Sequence, residues 1–267
     1  MDHDKLLEGR IKDLSERAYN NDYLTHTHFL SGGDLAYFHS MLKNTGNPVH
    51  THVFNSTRYI IYGGHPDSDR NVICFLPSYI TEDDFLSSEP VNGDVIKCLH
   101  IVPLNHKFAD ILSHRDFLGS LMNMGIERDP IGDILVEESE AFVFVLSEIS
   151  EVIAKELTRV KHTSVKCNIV SPSECSVEPR FTEISGSVAS ERLDAVVAMV
   201  FHISRGKTQD IIRAENVFVD GRTVTDPGYD LKPGEKVSVR GYGKFIFEEM
   251  GNVTKKGRFY AHVKLYS

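Results

Sequence analysis

The chain has 267 residues, of which 41% are hydrophobic and 25% are charged, a composition typical of soluble globular proteins. No apolar run in the sequence approaches the roughly 18 residues that a membrane span requires, and the acidic start MDHDKLLEGR lacks the apolar segment of a secretory signal. The sequence therefore excludes an integral membrane protein, and it predicts a cytoplasmic protein of two or three domains.

Charge is unevenly distributed along the chain, whose formal net charge is −9. Residues 1–186 carry a net charge of −12, whereas residues 187–267 carry +3. Charge asymmetry between segments indicates that the basic segment binds a polyanion. We therefore expect the C-terminal part to contact nucleic acid, if any part does.

Residues 1–80 are predicted to form a helical region followed by a small β meander. Apolar residues recur at helical spacing over residues 5–43, with a break at residues 31–34. Three β-rich runs follow within residues 49–76. Because no helix start follows Gly63-Gly64, we interpret this pair as part of a hairpin turn and not as a phosphate-binding loop.

Residues 81–171 are predicted to form a ferredoxin-like domain with the element order βαββαβ. Its first helix has Ser113 as its cap and ends at Gly125. Two further β runs, an amphipathic helix capped by Ser147 or Ser150, and a last strand complete the order. The fold class is therefore predicted to be α+β.

The same element order occurs in the RNA recognition motif, whose third strand carries aromatic residues that stack on bases. The corresponding strand here reads AFVFV, but it lacks the Lys/Arg-Gly start of the motif. Residues 81–172 also hold 16 acidic against 8 basic residues, a poor surface for a phosphate chain. We therefore expect Phe142 and Phe144 to lie in the core under the two helices.

No metal site is predicted, because the four cysteines form no CxxC pair. The His-x-His pairs His26/His28 and His50/His52 are suited to one strand face, yet no Cys or carboxylate partner lies at a recognisable metal-ligand spacing. We expect these histidines to be surface residues, and we expect no cofactor.

No catalytic centre is predicted either. The triplet His114-Arg115-Asp116 is similar to part of a protein-kinase catalytic loop, but the asparagine five residues later and the DFG motif are absent. His114, Asp116 and Cys98 are candidate catalytic residues, yet they form no recognisable constellation. The protein is therefore expected not to be an enzyme.

An interdomain linker is predicted at residues 172–189, which are rich in Ser, Pro and acidic residues. The C-terminal module, residues 190–267, begins with a helix for which Ser190 is the candidate cap. His202-Ile203 interrupts the helical pattern, and Ser204 caps a second helix. Next comes a hairpin with an Asp-Gly turn, and then a strand that follows a Pro-Gly turn.

The start of this second helix is the candidate RNA site. Arg205 and Lys207 lie beside the free backbone N–H groups of the first turn, where the helix dipole favours anions. Arg192 and Asp194 form an alternative, structural pair within the module. The full set of expected RNA-contacting residues is Arg192, Ser204, Arg205, Lys207, Thr208, Gln209, Lys236, Arg240 and Lys244.

Residues 190–241 resemble the S-four RNA-binding domain, the αL module found in pseudouridine synthases and tyrosyl-tRNA synthetases. The resemblance rests on RLD at 192–194, SR at 204–205, VFVDG at 217–221 and LKPGE at 231–235, in this order. It implies that the module binds structured RNA.

A second resemblance links the upstream part of the chain to the YlmH family. LSHRDFLGSLMNMGIERDPIGDILV, at 112–136, is similar to the middle domain of that family, and Gly63-Gly64 with Asp69-Arg70 is similar to its GGY-x-x-AER segment. The resemblance covers most of residues 50–245. It implies a helical N-terminal region, an RNA-recognition-like domain and a C-terminal S-four module. It also implies binding to the large ribosomal subunit and a role in rescuing stalled translation complexes that carry peptidyl-tRNA.

Three hypotheses follow. The leading one is a non-enzymatic protein that binds ribosomal RNA and tRNA, with no membrane or small-molecule partner. The second is an RNA-modifying enzyme that an S-four module targets to its substrate. The third is a protein-binding adaptor linked to cell division, whose acidic part contacts a basic protein. Copurification with protein partners after nuclease treatment would distinguish the third hypothesis from the first.

Overall fold

The structure is a computed structural model that describes residues 3–44, 52–177, 181–253 and 257–266. The chain forms two compact units. Unit 1 contains residues 1–34 and 40–177, and unit 2 contains residues 178–267 together with residues 35–39. Both units combine helices with sheets, which confirms the predicted α+β class.

The N-terminal part of unit 1 is helical and then forms a small antiparallel sheet of order β1-β4-β3-β2. Its elements are α1 (His3–Asn21), β1 (Thr25–His26), α2 (Gly32–Asn44), β2 (Val53–Phe54), β3 (Thr57–Tyr62) and β4 (Val72–Phe75). Residues 35–39 of α2 are the ones grouped with unit 2. The predicted break between two helices is present but lies earlier, at residues 22–31, because residues 32–34 already form the first turn of α2. There the Asp34 carboxylate accepts hydrogen bonds from the backbone N–H and the hydroxyl of Ser31, at 2.8 and 2.7 Å. The hairpin predicted around Gly63-Gly64 is confirmed, since β3 pairs directly with β4.

The remainder of unit 1 has the predicted ferredoxin-like order, with an additional helix before it and a short additional edge strand. Its elements are α3 (Glu82–Asn92), β5 (Ile96–Pro103), α4 (His114–Asn123), β6 (Ile131–Glu137), β7 (Glu140–Leu146), α5 (Ser147–Glu156), β8 (Arg159–Val160) and β9 (Thr163–Val170). The sheet order is β6-β7-β5-β9-β8, and every pairing is antiparallel. The order of the four main strands is that of the ferredoxin-like fold.

The ends of the two helices in this domain show which local signals were informative. The Asp116 carboxylate accepts hydrogen bonds from the backbone and hydroxyl of Ser113 at the start of α4, and Gly125 has a φ of 81° just beyond the end of that helix. Both predictions for α4 are confirmed. For α5 the predicted caps are wrong, because Leu146 is the N-cap and Ser147 instead donates a hydrogen bond to the Asp94 carbonyl.

Each face of the β6-β7-β5-β9-β8 sheet covers a different part of the core. On one face, Val143 and Val145 of β7 pack with Phe117 of α4 and Ile153 of α5. The other face carries Phe142 and Phe144, which are 7% and 0% exposed. A core position for both phenylalanines is therefore confirmed, but the prediction that they lie under the two helices is wrong.

The face that carries the phenylalanines is covered by the N-terminal sheet. Phe142 and Phe144 share a hydrophobic cluster with Tyr62 of β3, Cys74 of β4 and Phe85 of α3. Gly64 permits the close approach, since it has a φ of +96° and a Cβ there would lie 2.3 Å from Cδ1 of Phe144. The face that stacks on bases in an RNA recognition motif is therefore closed in this protein. A domain boundary at residue 80 stays a sequence prediction, although this cluster draws residues from both sides of it.

Unit 2 is a six-stranded antiparallel sheet of order β10-β15-β14-β13-β11-β12 with two helices. Its elements are β10 (Phe181–Val188), α6 (Leu193–Val200), α7 (Arg205–Arg213), β11 (Val217–Val219), β12 (Arg222–Thr223), β13 (Lys236–Val239), β14 (Gly243–Val253) and β15 (Phe259–Tyr266). The linker predicted at residues 172–189 is wrong in its second half, because residues 181–188 are an edge strand of this sheet. Residues 178–180 of that linker lie outside the described residues.

The predicted turn between α6 and α7 is confirmed, whereas one of the two predicted helix caps is wrong. His202 interrupts the helical pattern with a φ of 53°, and Ser204 is the N-cap of α7. The predicted Ser190 cap is wrong, since α6 starts from Arg192. Both helices pack on the inner face of the sheet, where Val197 and Ile212 share a cluster with sheet residues such as Phe245. Within the described ranges, no helix is long and apolar enough to cross a membrane.

Candidate nucleic-acid interface

Three of the predicted RNA-contacting side chains converge on one buried carboxylate, that of Asp194. Asp194 is 0% exposed and lies in the first turn of α6. Its oxygens accept hydrogen bonds from Arg205 Nη2 at 2.9 and 2.8 Å, from Gln209 Nε2 at 2.8 Å and from Arg192 Nε at 3.2 Å. The structural Arg192–Asp194 pair considered from the sequence is therefore present, and α7 supplies two further partners to it.

The hydrogen bonds to Asp194 determine its ionisation. Burial by itself raises the pKa of this carboxyl, but the hydrogen bonds from Arg192, Gln209 and Arg205 outweigh burial and lower its pKa to about 2. Asp194 is therefore ionised at any physiological pH. The carboxylate in turn raises the pKa of the Arg192 guanidinium.

The low pKa of Asp194 leads to a prediction about acid stability. Because the pKa falls from an ordinary 3.8 to about 2 on folding, the ionised carboxylate stabilises the fold above pH 4, and this stabilisation is lost as the pH falls from about 4 to 2. We expect Asp194→Asn to be less stable than the natural chain at pH 6, with the difference shrinking by about 2 kcal/mol by pH 2. Urea unfolding of both chains across this range measures the difference. A difference that does not change with pH would contradict the assignment.

The first turn of α7 presents its cations outward. The Ser204 hydroxyl accepts a hydrogen bond from the Lys207 backbone N–H at 3.3 Å, as predicted for the cap. The Lys207 ammonium lies 5.5 Å from the ring centroid of Tyr242, and the Arg205 side chain remains 51% exposed despite its bond to Asp194. We call Arg192, Arg205, Lys207 and Gln209 the α7 patch.

Thr208 does not belong to this patch. It is 0% exposed, and its hydroxyl donates a hydrogen bond to the Ser204 carbonyl at 3.1 Å. Thr208 therefore lacks the surface position that its predicted contact with RNA requires. Conversely, Tyr242 approaches Lys207 although no sequence signal pointed to it, because it comes from a turn 35 residues further along the chain.

Two of the other predicted cations, Lys236 and Lys244, do not form one surface with the α7 patch. Side chains alternate along β13 and β14, and the buried Val237 and Phe245 face the helices. Lys236 and Lys244 therefore lie on the outer face, where their ammonium groups are 5.5 and 4.3 Å from the Tyr266 ring centroid. The expectation that Lys236 and Lys244 extend the α7 patch is therefore wrong, because they lie on the opposite face of the sheet. Arg240 is exposed in the same β13–β14 turn as Tyr242 and stays a candidate.

The two histidines of the first His-x-His pair lie near different carboxylates. His26 lies 3.6 Å from a carboxylate oxygen of Glu148, whereas His28 lies 3.8 Å from one of Asp129. His50 lies outside the described residues. In the part of the chain that the structure describes, no group of three or more His, Cys, Asp and Glu side chains is arranged to hold a metal ion.

Comparison with known proteins identifies both domains. Residues 90–174 match the family described as "Putative RNA-binding domain in YlmH", and residues 191–237 match the S4 domain, named S-four above. A relative from Bacillus subtilis (strain 168), "Ribosome-associated protein quality control protein P2", is 29% identical over 203 residues, which are 74% of this chain and 74% of that protein. These matches confirm the predicted resemblance to the YlmH family.

The chain is also similar to a solved structure, "Cell division protein ylmH from Streptococcus pneumoniae". It is 19% identical, it aligns with a TM-score of 0.47, and the alignment covers 66% of this chain and 95% of that chain.

Proposed function

Because this chain carries a YlmH-type RNA-binding domain followed by an S4 domain, we propose that it is a non-enzymatic RNA-binding protein of ribosome-associated quality control. In this proposal the α7 patch binds ribosomal RNA of the large subunit and the protein also contacts tRNA. Such a role places the protein in the cytoplasm. The relative that is named a ribosome-associated quality control protein supports the proposal.

The observation that carries the proposal is the fixed position of the α7 patch. Asp194 is fully buried, so it orients the two arginines and Gln209 without itself offering a negative charge to the surface. The remaining N–H groups of an oriented guanidinium suit phosphate oxygens, which accept hydrogen bonds in pairs. Lys207 adds a second cation at the capped start of α7, where the helix dipole also favours an anion.

Two of the three candidate catalytic residues of unit 1, Asp116 and Cys98, are held in ways that do not suit catalysis, which favours binding over catalysis. The Asp116 carboxylate accepts two hydrogen bonds from Ser113 and lies 2.9 Å from the Lys161 ammonium, and these contacts lower its pKa to about 2. Cys98 is 0% exposed. A hydrogen bond to Cys175 and burial raise the pKa of its thiol well above the ordinary value. Neither group is suited to act as a general base or nucleophile near pH 7.

Unit 1 is proposed to contact the ribosome by a surface other than its closed sheet face. Residues 1–171 carry a net charge of −10, so this part contributes little non-specific attraction to a phosphate chain. We therefore propose that unit 2 makes the main contribution to RNA binding.

Crosslinking in living cells, followed by sequencing of the RNA bound to the full chain, tests this function. We expect reads concentrated in one region of large-subunit ribosomal RNA together with tRNA. A chain carrying Lys207→Ala is expected to give fewer reads at the same positions. Reads spread over messenger RNAs would contradict the proposal, and so would reads that do not depend on Lys207.

A further inference from the structure

A groove of about 670 Å³ lies between β10 and α6 in unit 2. One wall is residues 184–188 of the edge strand with Ala189 just after it, and the other includes Ala195, Ala198 and Met199 of α6. Gly186 lets the two walls approach, because a Cβ at this position would lie 2.4 Å from Cγ of Met199. The groove is therefore narrow and lined mainly by small or apolar side chains.

The polar side chains around the groove include two arginines. The described residues that line it include Arg205, Arg258 and His202 but no Asp or Glu. Arg258 Nη2 donates a hydrogen bond to the Ser187 carbonyl of β10 at 2.6 Å. Arg205 Nη2 donates hydrogen bonds to both oxygens of the buried Asp194 carboxylate. In a chain with nine more acidic than basic residues, a groove whose described lining holds two oriented guanidinium groups and no carboxylate favours an anionic ligand.

The size and lining together indicate a nucleotide. The volume lies within the roughly 300–1,000 Å³ of sites that enclose small molecules, the apolar walls suit a flat base, and the arginines suit a phosphate. Proteins that read RNA commonly take up bases that are splayed out of a helix. Arg205 belongs both to the α7 patch and to the groove lining, so a phosphate chain at the patch leads directly to the groove.

Resting on the proposed function, we propose that this groove receives one unpaired nucleotide of the RNA held at the α7 patch. Its base lies between β10 and α6, and its phosphate lies at Arg205 and Arg258. The groove thereby selects structured RNA that carries a bulged nucleotide over RNA that is fully paired.

Fluorescence anisotropy with two RNA hairpins tests this selectivity, one fully paired and one with a single bulged nucleotide. We expect the full-length chain to bind the bulged hairpin about tenfold more tightly, as suits the burial of part of one base against apolar side chains. Ala198→Phe fills the groove and is expected to abolish this preference while the affinity for the paired hairpin stays the same. Ala214→Phe, the same change at an exposed position at the far end of α7, is expected to keep the preference.

Equal binding of both hairpins by the natural chain would overturn the groove proposal, and so would a bulge preference that survives in folded Ala198→Phe. A failure of the proposed function gives a different result, in which the natural chain binds neither hairpin. Saturable binding of free adenosine monophosphate without a bulge preference would assign the groove to a free nucleotide and overturn the RNA-borne ligand.

A second measurement does not depend on any variant. A bulged 2-aminopurine is quenched while it stacks on neighbouring bases, and its fluorescence is expected to rise severalfold when the natural chain draws it out of the helix. Unchanged 2-aminopurine fluorescence in the bound hairpin would overturn the proposal.

Discussion

Replacing Lys207 by glutamate is expected to weaken the binding of structured RNA roughly 10- to 30-fold at physiological salt, because one phosphate contact is lost and one repulsion is added. The fold should remain intact. The Lys207 side chain is exposed, and the described contacts of its ammonium are with the Tyr242 ring, so we expect the free energy of unfolding to change by about 0.5 kcal/mol at most. Anisotropy measures the affinity, and circular dichroism with urea measures the stability.

Arg213→Glu is the matched control for this prediction. It makes the same change of charge near the other end of α7, where the Arg213 side chain is 62% exposed. We expect it to have little effect on affinity. The milder Lys207→Ala should flatten the dependence of log K on log salt by roughly 0.7–0.9. An unchanged affinity and salt slope in folded Lys207→Ala would contradict the site at the start of α7.

Arg205 is a less suitable test residue than its sequence position indicates. From the sequence, Arg205 and Lys207 are equivalent surface cations. In the structure Arg205 is bonded to the buried Asp194, so a glutamate at position 205 would place two carboxylates together and lower the stability as well as the affinity.

Replacing Asp194 by alanine is expected to lower stability more than the Lys207 substitutions do. We expect unit 2 to lose about 2–4 kcal/mol of its free energy of unfolding. The change leaves Arg192, Arg205 and Gln209 without the acceptor that they share. We also expect RNA affinity to fall, although the substitution removes a negative charge, because the guanidinium groups lose their fixed orientation. Hydrogen exchange at the amides of α6 and α7 measures the stability of this unit separately from that of unit 1.

Asp210→Ala is the matched control, since this carboxylate lies on α7 but is 82% exposed. We expect it to leave stability unchanged within about 0.5 kcal/mol and to raise RNA affinity slightly by removing an exposed acid. An Asp194→Ala chain that is as stable as the natural one, or that binds RNA more tightly, would show that Asp194 does not organise the patch.

The elements that could be predicted from the sequence are those with local signals. Ser113, Gly125 and Ser204 mark helix ends by their own chemistry, and the structure uses all three as predicted. Helix α3 was not predicted because its sequence, EDDFLSSEPVN, has few apolar residues and contains Pro90. Strand β10 was missed because its exposed side chains made the segment resemble a linker.

The contacts between distant segments could not be predicted in the same way. The run AFVFVL is buried on both faces of its sheet, so its pattern does not tell which face meets the helices and which meets the N-terminal strands. Arg205 and Gln209 lie 11 and 15 residues from Asp194, and only the packing of α7 against α6 joins them. Lys244 lies on the face of the sheet opposite α7, and this too could be predicted only once the position of β14 was known.

The packing of the N-terminal sheet over Phe142 and Phe144 determines which fragments of the chain can be produced without exposing apolar surface. A fragment restricted to residues 81–171 would keep every element of the ferredoxin-like order, yet it would uncover an aromatic surface that β3 and β4 protect in the full chain. Uncovered apolar surface of this kind promotes self-association. The N-terminal region therefore keeps this aromatic surface out of water, and we expect a fragment that retains both parts to stay soluble where the fragment 81–171 associates.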